Sequence, residues 1–376
     1  MTKRLGKAAI LYGPGGPFKV EEEYADDPQP GGMLLKVELC GVCGTDVHIY
    51  KGQMSGVPFP LVIGHEPVCT VEALGSDGMT DFNGRPLAVG DRVYLLGLKT
   101  CGYCYNCTIG FEPSACYNGM GYSAKPFPDE PPHFQGGYSQ YIDIKPGFTG
   151  IFKVNVDKPE EAVIMEPIAV GIHACDCTTF RVPNTVVVQG AGATALGTMI
   201  AAKEAGASKI IVIGAPQARL DVAKEFGADI VINIDEVTNP EERIRIVKEE
   251  TWSGLGADIV FEVTGVPRAL LEGIAMMRNS GQFITLGHFT DNGTAEFNPF
   301  KHFTNNQITL RGVWGAAHHH LARAVPIVES RKYALDKLIT HEIPLERLGN
   351  VMEQLAKGSM ELDGRETGKV AVAPWM

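Results

Sequence analysis

The pattern of apolar positions changes character about 160 residues into the chain. Before that point, short β-type runs such as Leu34–Leu39 and Asp91–Leu96 are interrupted by Gly, Pro and Asp, which predicts an irregular, mostly β domain. After it, apolar β-branched runs recur, beginning with Thr185–Val188, and segments with helical spacing stand between them. Strands that alternate with helices predict an α/β domain whose parallel sheet is covered on both faces.

The repeating elements of this second part can be placed individually. Further strands are predicted at Lys209–Ile213, Ile230–Ile232, Asp258–Glu262, Phe283–Leu286 and Ile308–Gly312, and helices at Met199–Ala205, Pro240–Thr251, Pro267–Met277 and His319–Ser330. Ile308–Gly312 is expected to be an edge strand, and Lys369–Val372 a strand that returns to the first domain. The sequence therefore predicts two domains, residues 1–165 with 311–376, and residues 166–310.

A glycine-rich turn follows the first buried strand of the second domain. Gly190, Gly192 and Ala195 fall at the three small positions of a dinucleotide fingerprint, between a predicted strand and a predicted helix. Gly190 permits the tight turn, Gly192 lets the backbone approach a pyrophosphate, and Ala195 is small enough for helix–strand contact. An ordinary strand–helix turn is the alternative, but this context favours a cofactor site.

The sequence leaves the choice between NAD and NADP open. Gly214 occupies the end of the second strand, where a carboxylate would accept the ribose hydroxyls of NAD. Arg219, a few residues later, could bind a 2′-phosphate, or it could be an exposed helix residue.

Four cysteines lie within 16 residues, at Cys101, Cys104, Cys107 and Cys116. Four thiolates suit a tetrahedral zinc ion and leave no coordination position for a substrate, so a structural zinc site is predicted for the lobe at about residues 97–120. Redox or disulfide use is the alternative.

A second group of potential ligands comprises Cys43 and His65 with Glu66 or Glu166 as the carboxylate, which suits a catalytic zinc. Cys40 is expected to be a core residue.

Composition narrows the classes of function. The net charge of −11 disfavours nucleic acid and anionic membrane surfaces as partners, because both would be repelled. No apolar run is long enough for a transmembrane helix and no secretory leader is evident, so a cytoplasmic protein is expected. Nine cysteines without an export signal then indicate metal rather than disulfides. The triplet His318–His320 is interpreted as a surface or helix-start feature.

Several motifs occur together in one order: residues 41–48 around Cys43, Gly64–Glu66, the cysteine lobe, residues 136–141, residues 166–174 and the glycine turn. In this respect the chain resembles the zinc-dependent medium-chain dehydrogenases/reductases over nearly its full length. The segment at Glu166 is closer to the sorbitol and threonine dehydrogenase branch than to the liver-type alcohol dehydrogenases. The resemblance implies a GroES-like catalytic domain and a Rossmann cofactor domain. The gap from Cys107 to Cys116 is one residue longer than is usual in this family.

The resemblance also implies roles for individual residues. Cys43, His65 and Glu66 would be ligands or near neighbours of a catalytic zinc, and Glu166 a ligand or the partner of its water. Thr45 would contact the substrate oxygen, and His48 would relay the proton towards solvent. His48 could instead be an ordinary loop histidine, Glu66 could orient His65, and Glu166 could cap a helix. The dinucleotide would contact Gly190, Gly192, Ala193, Thr194, Ala195, Gly214, Arg219 and Thr264.

The expected activity is oxidation of an alcohol to a ketone or aldehyde, with NAD or NADP and two zinc ions per chain. A secondary, polyol or cyclic alcohol is the expected substrate, and a homodimer or homotetramer the expected assembly. A zinc-independent enoyl or quinone reductase of the same superfamily is one alternative, although it would not need Cys43, His65 and the cysteine lobe. A non-catalytic nucleotide-binding protein is the other.

Overall fold

The structure is a computed structural model that describes residues 3–121, 134–288 and 290–376. In chain order its strands are β1 (Arg4–Leu11), β2 (Phe18–Ala25), β3 (Met33–Gly41), β4 (Glu66–Leu74), β5 (Arg92–Leu95), β6 (Leu98–Lys99), β7 (Met120–Gly121), β8 (Tyr141–Ile144), β9 (Ile151–Lys153), β10 (Thr185–Gln189), β11 (Lys209–Gly214), β12 (Ile230–Asn233), β13 (Ala257–Glu262), β14 (Met277–Thr285), β15 (Thr309–Gly312), β16 (Ile339–Ile343), β17 (Glu361–Leu362), β18 (Arg365–Glu366) and β19 (Lys369–Val372). The helices are α1 (Gly44–Tyr50), α2 (Tyr105–Thr108), α3 (Met165–Asp176), α4 (Ala193–Glu204), α5 (Gln217–Glu225), α6 (Pro240–Glu249), α7 (Pro267–Met276), α8 (His318–Glu329) and α9 (Leu348–Ala356).

The chain divides into two compact units, Met1–Glu166 with Ala317–Met376, and Pro167–Ala316. The first unit contains a sheet in the order β16-β19-β3-β4-β5-β9, with β8 also paired to β3. Strand β19 pairs with β3, as predicted for the returning strand. The central strands pair antiparallel, and their apolar side chains form one core that includes the buried Cys40, which confirms its predicted packing role.

The second unit contains a parallel sheet in the order β12-β11-β10-β13-β14-β15. This architecture confirms the predicted Rossmann-type α/β fold. Strands β10 and β11 are buried along almost their whole length, which explains their uninterrupted apolar sequences. Strand β15 lies at the edge of the sheet as expected, and all four of its residues are exposed.

Glycines allow two helices of this unit to approach each other closely. A Cβ atom at Gly197 of α4 would lie 2.5 Å from the backbone of Pro167, and one at Gly171 of α3 would lie 2.5 Å from Thr198 Cα. Only glycine fits at such distances.

Within the described part of the chain, none of the helices has the length and hydrophobicity needed to cross a bilayer.

The histidine triplet begins helix α8, as predicted, but only His319 of the three is exposed. His318 is packed against the rings of Phe82 and Phe152, and its Nε2 atom is buried with no hydrogen-bond partner among the described residues. Burial, together with the neighbouring His319, lowers the pKa of His318 to about 4. The imidazole is therefore held neutral inside an aromatic cluster.

This arrangement predicts a loss of stability in mild acid. Because the unfolded chain binds the proton near the ordinary pKa of about 6.5 and the folded chain does not, stability should fall by about 3 kcal/mol as the pH is lowered from about 6.5 to about 4. Urea unfolding across this range would measure the effect. His318→Phe should have a shallower pH dependence than wild type, and equal slopes for the two proteins would contradict the prediction.

Candidate active site

The first group of ligand atoms forms where β3 and β4 pair. Gly41 at the end of β3 lies opposite Glu66 at the start of β4. Cys43 follows two residues after Gly41 and is the N-cap residue of α1, while His65 immediately precedes Glu66. The thiol, imidazole and carboxylate atoms of Cys43, His65 and Glu66 consequently lie within 4.8 Å of one another.

Steric constraints explain why two positions in these motifs are glycine. A Cβ atom at Gly41 would lie 2.1 Å from Glu66 Oε2, so a side chain there would displace the carboxylate. Gly64 has φ +96°, and a Cβ atom there would lie 2.7 Å from the ring of Tyr138. The backbone on both sides of the cluster is therefore restricted to glycine.

Asp46 organises the thiol and imidazole, a role that the sequence analysis did not assign. Its buried carboxylate accepts hydrogen bonds from the Cys43 N–H at 2.9 Å and the Tyr138 hydroxyl at 2.8 Å. Its Oδ1 lies 3.4 Å from His65 Nδ1. Burial acts to raise the pKa of Asp46, but the charge of His65 and these hydrogen bonds outweigh it and lower the pKa. Burial likewise acts to lower the pKa of His65, yet Asp46 raises that pKa well above its ordinary value.

The sequence analysis also overlooked Lys369, whose ammonium group forms a buried ion pair with Glu66. Burial acts to lower the pKa of Lys369, but the charges of Glu66 and Cys43 raise it. The ion pair engages Glu66 Oε2, while Oε1 is buried without a hydrogen-bond partner among the described residues. A lysine that opens an otherwise apolar strand was the available signal, and Asp46 and Tyr138 stood within motifs already singled out.

The other predicted catalytic residues are Glu166 on α3 and Thr45 and His48 on α1. Glu166, near the start of α3, is not one of the grouped ligands, but its carboxyl interacts electrostatically with His65 and Glu66. Burial raises the pKa of Glu166 to about 7, with Glu66 acting in the same direction and His65 against it. On α1, Thr45 Oγ1 lies 3.7 Å from Cys43 Sγ, and His48 Nδ1 lies 2.6 Å from Gln53 Oε1.

The structure brings all four lobe cysteines together despite the long gap before Cys116. Four of the sulfur–sulfur distances are 3.5 Å, 3.5 Å, 3.7 Å and 3.9 Å, too long for disulfides. Zinc–thiolate bonds of about 2.3 Å place the sulfurs of a tetrahedron about 3.8 Å apart. Burial acts to raise the pKa of Cys101, but donors including the Tyr103 N–H and the Asn118 amide lower it to about 6. One thiol is thus ready to ionise near neutral pH.

In the second unit, the glycine turn has the geometry of an anion site. Gly190 has φ +123°, Gly192 is the N-cap residue of α4, and the next three residues, Ala193, Thr194 and Ala195, form the first turn, whose N–H groups lack helical acceptors. Among the described residues, nothing lies within 4 Å of a Cβ atom placed at Gly192.

The remaining predicted cofactor residues lie at or after strand ends. Gly214 ends β11, and a Cβ atom there would lie 2.7 Å from Ala191 Cβ, so a carboxylate side chain would not fit without a shift. Arg219 lies in the first turn of α5 and is partly exposed. Thr264 follows β13 and donates hydrogen bonds from its N–H and hydroxyl to Glu262.

Two family models match the chain and together cover more than half of it. The alcohol dehydrogenase GroES-like domain matches residues 29–155, and the zinc-binding dehydrogenase domain matches residues 193–330. The chain is 31% identical to 5-exo-hydroxycamphor dehydrogenase of Pseudomonas putida over 338 residues, 89% of this chain and 91% of that protein. It is 30% identical to sorbitol dehydrogenase of Bacillus subtilis over 351 residues, 93% of each chain.

A solved structure of an alcohol dehydrogenase from Thermotoga maritima has the same fold, with a TM-score of 0.89, 32% identity, and coverage of 99% of this chain and 100% of that one. The fold and these matches define an oxidoreductase of the alcohol dehydrogenase class. The chain belongs to the zinc-dependent medium-chain alcohol dehydrogenase family. The predicted family, fold class and type of enzyme are confirmed, and zinc with a nicotinamide cofactor is the chemistry of this family.

The site geometry predicts a measurable role for Tyr138. Tyr138→Phe should lower the free energy of unfolding by about 1.5–3 kcal/mol, because it removes a buried hydrogen bond to the charged Asp46. Urea unfolding would measure the change. Tyr141→Phe is the matched control, since Tyr141 is in the same core and its hydroxyl has no hydrogen-bond partner among the described residues. Equal effects of the two substitutions would contradict the assignment.

Proposed function

We propose that the chain oxidises a secondary, polyol or cyclic alcohol, using zinc held at Cys43, His65 and Glu66 and a nicotinamide dinucleotide bound at the glycine turn. The observation that carries the proposal is the convergence of the three ligand atoms within 4.8 Å. The named relatives support the substrate class, because they are dehydrogenases of 5-exo-hydroxycamphor and sorbitol.

The donor set fits zinc. Thiolate, imidazole and carboxylate are the side chains that bind this ion, and three protein ligands leave one position for a substrate. Glu66 Oε1, buried without a hydrogen-bond partner among the described residues, is the oxygen that a cation would satisfy. Bound there, zinc would act as a Lewis acid that makes the alcohol easier to deprotonate. Glu166, at the periphery of the cluster, would be a further ligand or would exchange protons with a nearby water.

The remaining residues would move the proton. Thr45 and His48 are three positions apart on α1 and so share a face of the helix. In this proposal Thr45 accepts the hydrogen bond of the substrate hydroxyl, and His48 passes the proton to solvent. The hydrogen bond of His48 to Gln53 orients the imidazole for this step. The turn at Gly190 and Gly192 would hold the dinucleotide, which would supply the hydride acceptor.

The cysteine lobe would hold a second, structural zinc ion. The sulfur–sulfur spacing matches a tetrahedral ion, and each described lobe cysteine already faces other thiols. A lobe with exposed Tyr103, Phe111 and Tyr117 has little apolar core of its own, so the metal would supply much of its stability.

Metal analysis tests both zinc sites. We expect about two zinc ions per wild-type chain, and about one in either Cys43→Ser or Cys101→Ser. Cys43→Ser should stay folded and lose turnover in a panel of alcohols, whereas Cys101→Ser should mainly lower thermal stability. Cys69→Ser, at a buried cysteine outside both groups, is the control that should keep both ions. Wild-type protein with no zinc, or with no turnover of any alcohol, would contradict the proposal.

We infer that the cofactor site admits NADP as readily as NAD. Gly214 supplies no carboxylate to repel a 2′-phosphate, and Arg219 on α5 offers a cation for it. Arg219→Ala should therefore lower kcat/KM with NADP by about tenfold or more while changing the value with NAD little. Lys224→Ala, an exposed change on the same helix, should affect neither cofactor. Equal losses with both cofactors would contradict this role of Arg219.

We propose a homodimer or homotetramer in which the exposed edge strand β15 pairs with its copy. An unpaired strand edge exposes backbone N–H and C=O groups that a second strand can satisfy. Sedimentation would measure the assembly state, and Leu310→Pro should shift it towards the monomer because proline removes an N–H from that edge. A monomeric wild-type protein would contradict the proposal.

A further inference from the structure

Strand β13 ends in Glu262, a carboxylate with no exposed surface. It lies between two neighbouring strands, opposite Gln189 of β10 on one side and Thr285 of β14 on the other. A buried charge is costly unless hydrogen bonds compensate it. The hydrogen-bond partners of Glu262 therefore indicate which part of the structure the buried charge stabilises.

The carboxylate of Glu262 accepts hydrogen bonds from the loop after β13 and from the end of β14. Glu262 Oε1 accepts from the Thr264 N–H and hydroxyl, both at 2.7 Å, and from the Gly265 N–H at 2.8 Å. Its Oε2 accepts from the Thr285 hydroxyl at 2.8 Å and lies 3.5 Å from His288 Nε2. The carboxylate therefore links the loop after β13 to the end of β14 and lies close to His288 in the loop beyond it.

The two loops also touch directly. Gly265 has φ +68°, and a Cβ atom at Gly287 would lie 2.3 Å from the Gly265 nitrogen. The main-chain oxygen of Glu262 accepts hydrogen bonds from the N–H groups of Leu286 and Gly287. At this contact between two glycines, the backbone of Gly265 is held by side-chain hydrogen bonds to Glu262 and from Asn292.

These loops lie at the edge of the sheet where a ligand is expected to bind. In the strand order of the second unit, the direction of winding reverses between β10 and β13. Ligands of such sheets bind outside the carboxyl ends of the strands at this reversal. The loop after β10 is the Gly190 turn, and the loop after β13 is the one that Glu262 holds at Thr264 and Gly265.

We propose that Glu262 is a positioning residue for the dinucleotide: it fixes the backbone at Thr264–Gly265 and at Thr285–His288 in the conformation that binds the cofactor. This inference rests on the proposed function, since it assumes that a nicotinamide dinucleotide is the ligand. Glu262 itself is covered by its donors and acts through the loops.

Direct binding of NADH and of NADPH to the zinc-loaded enzyme, followed by the fluorescence of the reduced nicotinamide, tests the proposal. Glu262→Ala should raise the dissociation constants of NADH and NADPH about tenfold or more, equivalent to about 1.4 kcal/mol. Glu262→Gln should have a smaller effect, because the amide oxygen can still accept from Thr264 and Gly265. Hydrogen exchange of these two backbone amides should accelerate in Glu262→Ala even without cofactor.

Glu272→Gln is the matched control. Glu272 forms a largely buried ion pair with Arg243 on the neighbouring helix, so this variant should lose thermal stability and keep its dinucleotide affinity. A folded Glu262→Ala protein that binds dinucleotide as tightly as wild type would overturn the inference, and if that variant does not fold, unchanged affinity in Glu262→Gln with rapid exchange at Thr264 would do so. Wild-type protein that binds neither dinucleotide would instead contradict the proposed function, and this inference with it.

Discussion

The candidate active site depends on the antiparallel register of β3 and β4. Because Gly41 lies opposite Glu66, the thiol that follows one strand meets the imidazole that precedes the other. A shift by one residue would turn Glu66 to the opposite face of the sheet. The buried carboxylates support this register, since Asp46, beyond the end of β3, lies 3.4 Å from His65, and Glu66 pairs with Lys369. Backbone pairing and buried charge therefore specify the same geometry.

The two groups of candidate metal ligands obtain their geometry in different ways. The lobe cysteines come from one short segment, and backbone N–H groups of Cys101 and Cys104 already point at sulfur atoms. Cys43, His65 and Glu66 are brought together by a sheet whose core extends through the whole first unit. The first kind of site can form locally around a metal, whereas the second requires the folded unit.

Sequence patterns specified the parallel sheet well, because strands buried on both faces carry a dense apolar signal. The strand at Lys369–Val372 was predicted with the observed bounds. Strand β14 begins at Met277, whereas its start was predicted at Phe283. The prediction missed the first residues because they include the polar segment Arg278–Ser280 and lack an apolar pattern. The lobe cysteines were predicted as ligands from their spacing, and Cys43, His65 and Glu66 from their residue types and motifs. Asp46, Tyr138 and Glu262 were not assigned roles, since their burial arises only from tertiary packing.

The discontinuous first unit has a consequence for synthesis on the ribosome. Strand β19 supplies Lys369 to the ion pair with Glu66, and its Val370 carbonyl accepts the hydrogen bond of the Val42 N–H, immediately before Cys43. All of Pro167–Ala316 is translated between these partners. A nascent chain can therefore complete its parallel-sheet unit before Lys369, the counter-ion of Glu66, has been synthesised. The unit whose synthesis begins first is consequently the last to be completed. Until then, the end of β3 at Cys40 and Gly41 lacks the pairing that β19 supplies.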